Sequence, residues 1–234
     1  MSSRMLTLSY DAHDPARLAT FWAGMLGREV VKEDDAVLLP GEAAQVSLRF
    51  VASQTKKEGP NLVHLHLTPT SEADQRHLVE RALGLGGNHL DVGQLPEEEH
   101  VVLADPEGNE FCVIEAGNSF LAGCGPLAEL ACDGTRQVGQ FWSAALGWPL
   151  VWDQDEETAI QSPQGGTKVA WGGPPLNPKP ARNRQRFDLT PGDADQQAEV
   201  DRLLSLGATP VEVAEDGTVT LADPDGNEFY VRRR

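Results

Sequence analysis

An eleven-residue stretch occurs twice in this chain, and any fold proposed for it must accommodate both copies. Residues 103–113 read Leu-Ala-Asp-Pro-Glu-Gly-Asn-Glu-Phe-Cys-Val. Residues 221–231 read Leu-Ala-Asp-Pro-Asp-Gly-Asn-Glu-Phe-Tyr-Val, identical at nine of the eleven positions. In each copy a proline (Pro106, Pro224) presets φ within a turn, and a glycine (Gly108, Gly226) is free to take positive φ. The turn then feeds a strand. Other landmarks recur with it. Phe21-Trp22 followed by Leu26-Gly27 returns as Phe141-Trp142 followed by Leu146-Gly147, an offset of 120. Asn61–Pro69 returns as Asn183–Pro191, an offset of 122. Such a period is too long for a solenoid, whose repeats run to roughly 20–50 residues. It predicts two tandem domains, 1–117 and 126–234, joined by a linker at 118–125 that is rich in glycine and small residues.

Within each half the same order of elements is read twice. Leu6 and Leu8 alternate with Thr7 and Ser9 in a first strand. Asp14 then stands as N-cap and Pro15 at the first helical position. Leu18, Phe21, Trp22 and Met25 share one helical face, and Gly27 ends the helix. Short strands follow at 28–32, 36–39 and 45–50. The pattern restarts with a strand at 62–67, a helix from Glu72 to Leu83 capped by Ser71, and strands at 89–92, 101–103 and 110–115. The second half repeats this, with helices at 137–145 and 194–206. Each unit is βαβββ, and the class is α+β.

Composition narrows the partners. A formal net charge of −17 opposes nucleic acid and anionic membrane surfaces. No apolar run approaches membrane-spanning length, Met1–Arg4 does not begin a leader, and three cysteines without a CxxC pair fit reduced thiols. A cytoplasmic protein is expected.

Four βαβββ units, with Phe-Trp…Leu-Gly helices and Asp-Pro-x-Gly-Asn-x-Phe turns, resemble the vicinal oxygen chelate superfamily. That superfamily includes glyoxalase I, bleomycin-resistance proteins and extradiol dioxygenases, and the wording is most similar to its glyoxalase-like branch. The resemblance implies, for each domain, a curved mixed sheet from two paired units, with helices on the convex face and a site on the concave one. It also implies a chain that is either a monomer with pseudo-two-fold domain pairing or a homodimer. In metal-using members, His or Gln, Glu, His and Glu hold a divalent metal that polarises substrate oxygens. Carried over, these positions fall on Thr7, His64 and Cys112 in the first half, with no strand-four carboxylate. In the second half they fall on Leu127, Arg186 and Tyr230. The expectation is a protein without the metal quartet and without a cofactor.

Strand alternation, independently, puts His64, His66, Glu110 and Cys112 on one polar face. Glu129, Arg186, Asp188, Glu228 and Tyr230 lie on the corresponding face of the second half. Thr7, His64, His66, Glu110, Cys112, Trp171, Arg186, Asp188 and Tyr230 are therefore the candidate ligand-binding residues, and no catalytic residue is assigned. Each also has a plainer reading. Arg186 with Asp188 or Glu228 can be an internal salt bridge, Cys112 a space-filling residue, and the histidines a solvated strand face. Trp148, Trp152 and Trp171, found only in the second half, could line an apolar pocket with Tyr10 and Tyr230. The expected function is binding of a small organic, or aromatic, molecule. The alternative is a metal-dependent lyase, isomerase or dioxygenase with a reduced site of His64, His66 and Glu110.

Overall fold

The computed structural model describes residues 5–42, 44–95, 97–179, 181–191 and 195–233. Among them the βαβββ order is found four times. The first unit is β1 (Met5–Ala12), α1 (Pro15–Leu26), β2 (Val31–Lys32), β3 (Ala36–Leu39) and β4 (Ser47–Ala52). The second is β5 (Val63–Leu67), α2 (Glu72–Gly84), β6 (Asn88–His89), β7 (Val101–Ala104) and β8 (Glu110–Val113). The third is β9 (Leu127–Cys132), α3 (Arg136–Leu146), β10 (Leu150–Gln154), β11 (Glu157–Gln161) and β12 (Lys168–Trp171). The fourth is β13 (Gln185–Thr190), α4 (Gln196–Ser205), β14 (Thr209–Val213), β15 (Val219–Ala222) and β16 (Glu228–Val231).

The local chemistry explains these boundaries. Asp14 accepts from Arg17 N, Pro15 opens α1, and Gly27 closes it in the left-handed region at φ 67°. Thr135 and Gly147, the latter again at φ 67°, do the same for α3. Ser71 caps α2 through Asp74 N. The predicted helix start at Ala194 lies outside the described residues; Asp195 is the cap, bonding Ala198 N. Gly108 and Gly226 take φ 80° and 81°, as the turn motif requires.

The units assemble into two eight-stranded mixed sheets. The first runs β14-β15-β16-β13-β1-β4-β3-β2, and the second runs β10-β11-β12-β9-β5-β8-β7-β6. Unit one therefore pairs with unit four, and unit two with unit three. The joints are antiparallel: β1 meets β13 from Met5↔Thr190 to Tyr10↔Gln185, and β5 meets β9 from Val63↔Cys132 to Leu67↔Leu127. This corrects the expectation that each half closes its own sheet. All four first strands carry the same alternation, so local pattern does not choose among partners. Pairing at this range is a property of the whole chain.

What joins the two units of one half is the tryptophan of its first helix. Trp22 of α1 donates to Asp105 Oδ2 in the β7–β8 turn at 3.2 Å and packs edge-on against Phe111 of β8, in the second sheet, at 5.1 Å. Trp142 of α3 donates to Asp223 Oδ2 at 3.2 Å and packs against Phe187 and Phe229, each at 4.9 Å, in the first sheet. The motif's variable residue ties the same junction. Glu107 accepts from His13 N and Asp14 N, while Asp225 accepts from Thr135 N and its hydroxyl. The apolar faces of both sheets and the buried sides of the helices merge in one core.

Candidate functional site

With the apolar faces committed to that core, the opposite, open face of each sheet carries the polar side chains. On the first sheet these come from β1 (Thr7, Ser9, Asp11), β4 (Ser47, Arg49), β13 (Arg186, Asp188) and β16 (Glu228, Tyr230). Thr7 sits in register with both Asp188 and Ser47. Asp188 is the hub: it accepts from the Ser9 hydroxyl at 2.6 Å and from Arg232 Nε at 2.8 Å. Arg49 lies 3.9 Å from Asp188, and 2.9 Å from each of Glu33 and Asp35. Arg186 finds its carboxylate on β1, at Asp11, and not at Asp188 or Glu228. Three guanidinium groups, of Arg182, Arg186 and Arg232, surround the Tyr230 ring. This face is cross-braced by charge pairs between units one and four.

The second sheet is different. Register aligns Cys112, His66, Glu129 and Lys168 in one row across β8, β5, β9 and β12. His66 Nδ1 lies 2.6 Å from Glu129 Oε2, and Cys112 is the ring's neighbour on the other adjoining strand. Burial opposes charge on His66, but the Cys112 thiol and the Glu129 carboxylate outweigh it and raise its pKa to about 10. The ring is thus an imidazolium at neutral pH. One step along β5, His64 faces Ala131, and burial lowers its pKa despite the attraction of Glu110 and Asp133. Glu110 is engaged by Lys57 Nζ at 2.5 Å and by Asn61 N at 3.3 Å. At the far end of the row, Lys168 donates to the Phe120 carbonyl and lies 3.9 Å from its ring centroid. Phe120 belongs to the segment between the two halves, which packs on this face. Ile114, Leu121, Cys124 and Ala128 form a small apolar cluster there, with Cys112 and Phe120 against it.

Several sequence candidates are thus placed elsewhere or apart. Trp171 is 2% exposed and sits in the core with Val169, on the face away from Lys168. Tyr10 is also in the core, against Phe50 at 5.2 Å. Trp148 is half-buried at the core's edge, and Trp152 is exposed beside Phe120. The aromatic residues do not converge on one pocket. Thr7, Arg186, Asp188 and Tyr230 lie on the first open face; His64, His66, Glu110 and Cys112 lie on the second. Glu129 was recognised as polar-facing but not as His66's partner, and Lys168 was missed. Both come from the other half of the chain, and only the β5–β9 and β9–β12 pairings bring them in.

The residues present do not fit the metal that the resemblance implies. Among the described residues no three His, Cys, Asp or Glu side chains are grouped so as to hold an ion. Of the proposed trio, His66 is bound to Glu129 and Glu110 to Lys57. An ammonium group in one sheet and guanidinium groups in the other stand where anionic donors would be required.

Comparison with known proteins agrees with this architecture. The sequence profile described as Glyoxalase-like domain matches residues 7–114 and again 128–232. No curated protein matches the chain. Glyoxalase I from Zea mays superposes with a TM-score of 0.68 at 16% identity, over 98% of this chain and 92% of that one. A Bacillus subtilis protein designated a dioxygenase gives 0.64 at 12% identity, over 98% and 85%. At these identities the structural likeness is one of fold. No helix among the described residues is long and apolar enough to cross a membrane.

Proposed function

The chain belongs to the glyoxalase-like domain family, and from that premise we propose that it binds a small organic molecule on the open face of its second sheet, without a metal quartet. The contrast between the two open faces carries this reading. The first spends its charged groups on pairs that bridge units one and four. The second keeps His64, His66 and Cys112 half-exposed, flanked by the aromatic ring of Phe120 and the apolar cluster beneath it. A polar row beside an apolar wall is the usual composition of a small-molecule site. The net charge of −17 favours a neutral or cationic ligand over an anionic one.

Two measurements check it. Elemental analysis after dialysis against Zn, Mn, Fe and Ni salts is expected to give well below one equivalent of any metal, unchanged in His64→Ala. Native mass spectrometry against a panel of neutral carbonyl and aromatic compounds is expected to find reversible complexes, weakened at least about tenfold in His64→Ala, or about 1.4 kcal/mol. A stoichiometric metal lost in His64→Ala would instead establish a lyase, isomerase or dioxygenase with a reduced metal site.

A further inference from the structure

Three neighbouring strands of the second sheet place a thiol, an imidazole and a carboxylate side by side. Cys112 on β8 and Glu129 on β9 are the two cross-strand neighbours of His66 on β5. Glu129, 6% exposed, takes Nδ1, which leaves Nε2 as the remaining polar atom of a ring whose other cross-strand neighbour is Cys112. The carboxylate fixes the orientation of the ring, and the ring exchanges a proton with the nucleophile. That is the division of labour in a nucleophilic triad, recognised by geometry and not by chain order. The three cysteines of the chain are all free, and Cys112 is the half-exposed one, whereas Cys124 and Cys132 are buried.

We propose that Cys112, His66 and Glu129 form a nucleophilic thiol site that adds to a neutral α,β-unsaturated carbonyl compound. The proposal rests on the reading of this open face as the ligand site, and extends it from reversible binding to covalent capture. In the addition, the imidazolium ring holds the proton while the sulfur pair forms the S–C bond at the β-carbon. The C=C pair moves toward the carbonyl as an enolate, and the imidazolium returns its proton to the α-carbon. No atom leaves and no oxidant is needed. Sulfur is soft and polarisable, which suits a conjugated carbon. The wall of Ile114, Leu121 and Phe120 beside Cys112 suits an uncharged carbon skeleton. Glu110 and Glu129 on the same face disfavour an acid.

Methyl vinyl ketone is the probe, used at low molar excess, with adducts located by peptide mapping and rates followed by intact mass. The expected result is one adduct, on Cys112, formed at least about tenfold faster than on Cys124 or Cys132. His66→Gln should slow it at least about tenfold, and Glu129→Gln should slow it by a smaller factor. Circular dichroism confirms that each variant is folded, and the near-isosteric Glu129→Gln guards against misfolding of the other. Labelling that is spread over the three thiols, or that proceeds at the wild-type rate in both variants, overturns the proposal. Cys112→Ser separates it from the binding reading. If that variant still binds neutral carbonyl compounds reversibly while the wild type forms no adduct, covalent capture fails and the ligand site stands.

Discussion

A chain of residues 1–117 alone is expected to run as a dimer, at twice its own mass, in size exclusion with light scattering. In the whole protein β1 and β5 are central strands, and each pairs with a strand of the second half along its outer side. Removing that half turns two central strands into edges and uncovers the ladder groups of Met5–Tyr10 and Val63–Leu67. An unpaired edge of this length is a template for another chain. β1 and β5 are both first strands of a βαβββ unit, so β1 of one copy can pair with β5 of a second, and the reverse. That arrangement is closed and isologous. It also restores two eight-stranded sheets. A folded monomer with a cooperative melt would show that each half is self-sufficient and that the cross-half pairing is dispensable.

The second large effect is expected at the repeated turn. Asp105 accepts from Trp22 Nε1, Glu107 N, Asn109 N and the Asn109 side-chain amide, all at 2.9–3.2 Å, and is 1% exposed. Asp105→Ala leaves these donors buried without an acceptor, at a cost of about 3 kcal/mol or more. Urea denaturation would read this as a lowered midpoint at unchanged slope. The same pair gives a pH dependence. Burial raises Asp105 and Asp223 from the ordinary 3.8 to about 6, although their hydrogen bonds pull the other way. A carboxyl with a raised folded pKa binds protons more tightly in the folded than in the unfolded state. Its contribution is complete below about 4 and is lost as pH rises through about 6. A shift of about two units corresponds to about 3 kcal/mol for each group. The wild type should therefore be more stable near pH 5 than at pH 7.5, and Asp105→Ala should lose about half of that difference. A stability that rises steadily from pH 5 to 7.5 would mean that other carboxylates outweigh this pair.

How much was legible in the residues depended on range. The helices and turns follow from neighbours within four positions, and Asp14, Pro15, Gly27, Ser71 and Gly108 announce themselves. Two-residue alternation put Cys112, His64, His66, Asp188 and Tyr230 on polar faces. It could not say that Trp171 belongs to the core, because that ring follows Val169 and not Lys168. Nor could alternation bring Glu129 to His66 or Asp11 to Arg186. Those contacts span 63 and 175 residues and exist only once the units choose partners.

The exchange of partners also sets an order of events at the ribosome. Units two and three are contiguous from Val63 to Trp171, so their sheet can close on the nascent chain while the last unit is still unmade. Strand β1 is made before both and finds its partner, residues 185–190, only after unit three is complete. At about 5–20 residues per second, that edge waits for roughly 10–35 s. A chaperone that protects this protein during synthesis would be expected at β1.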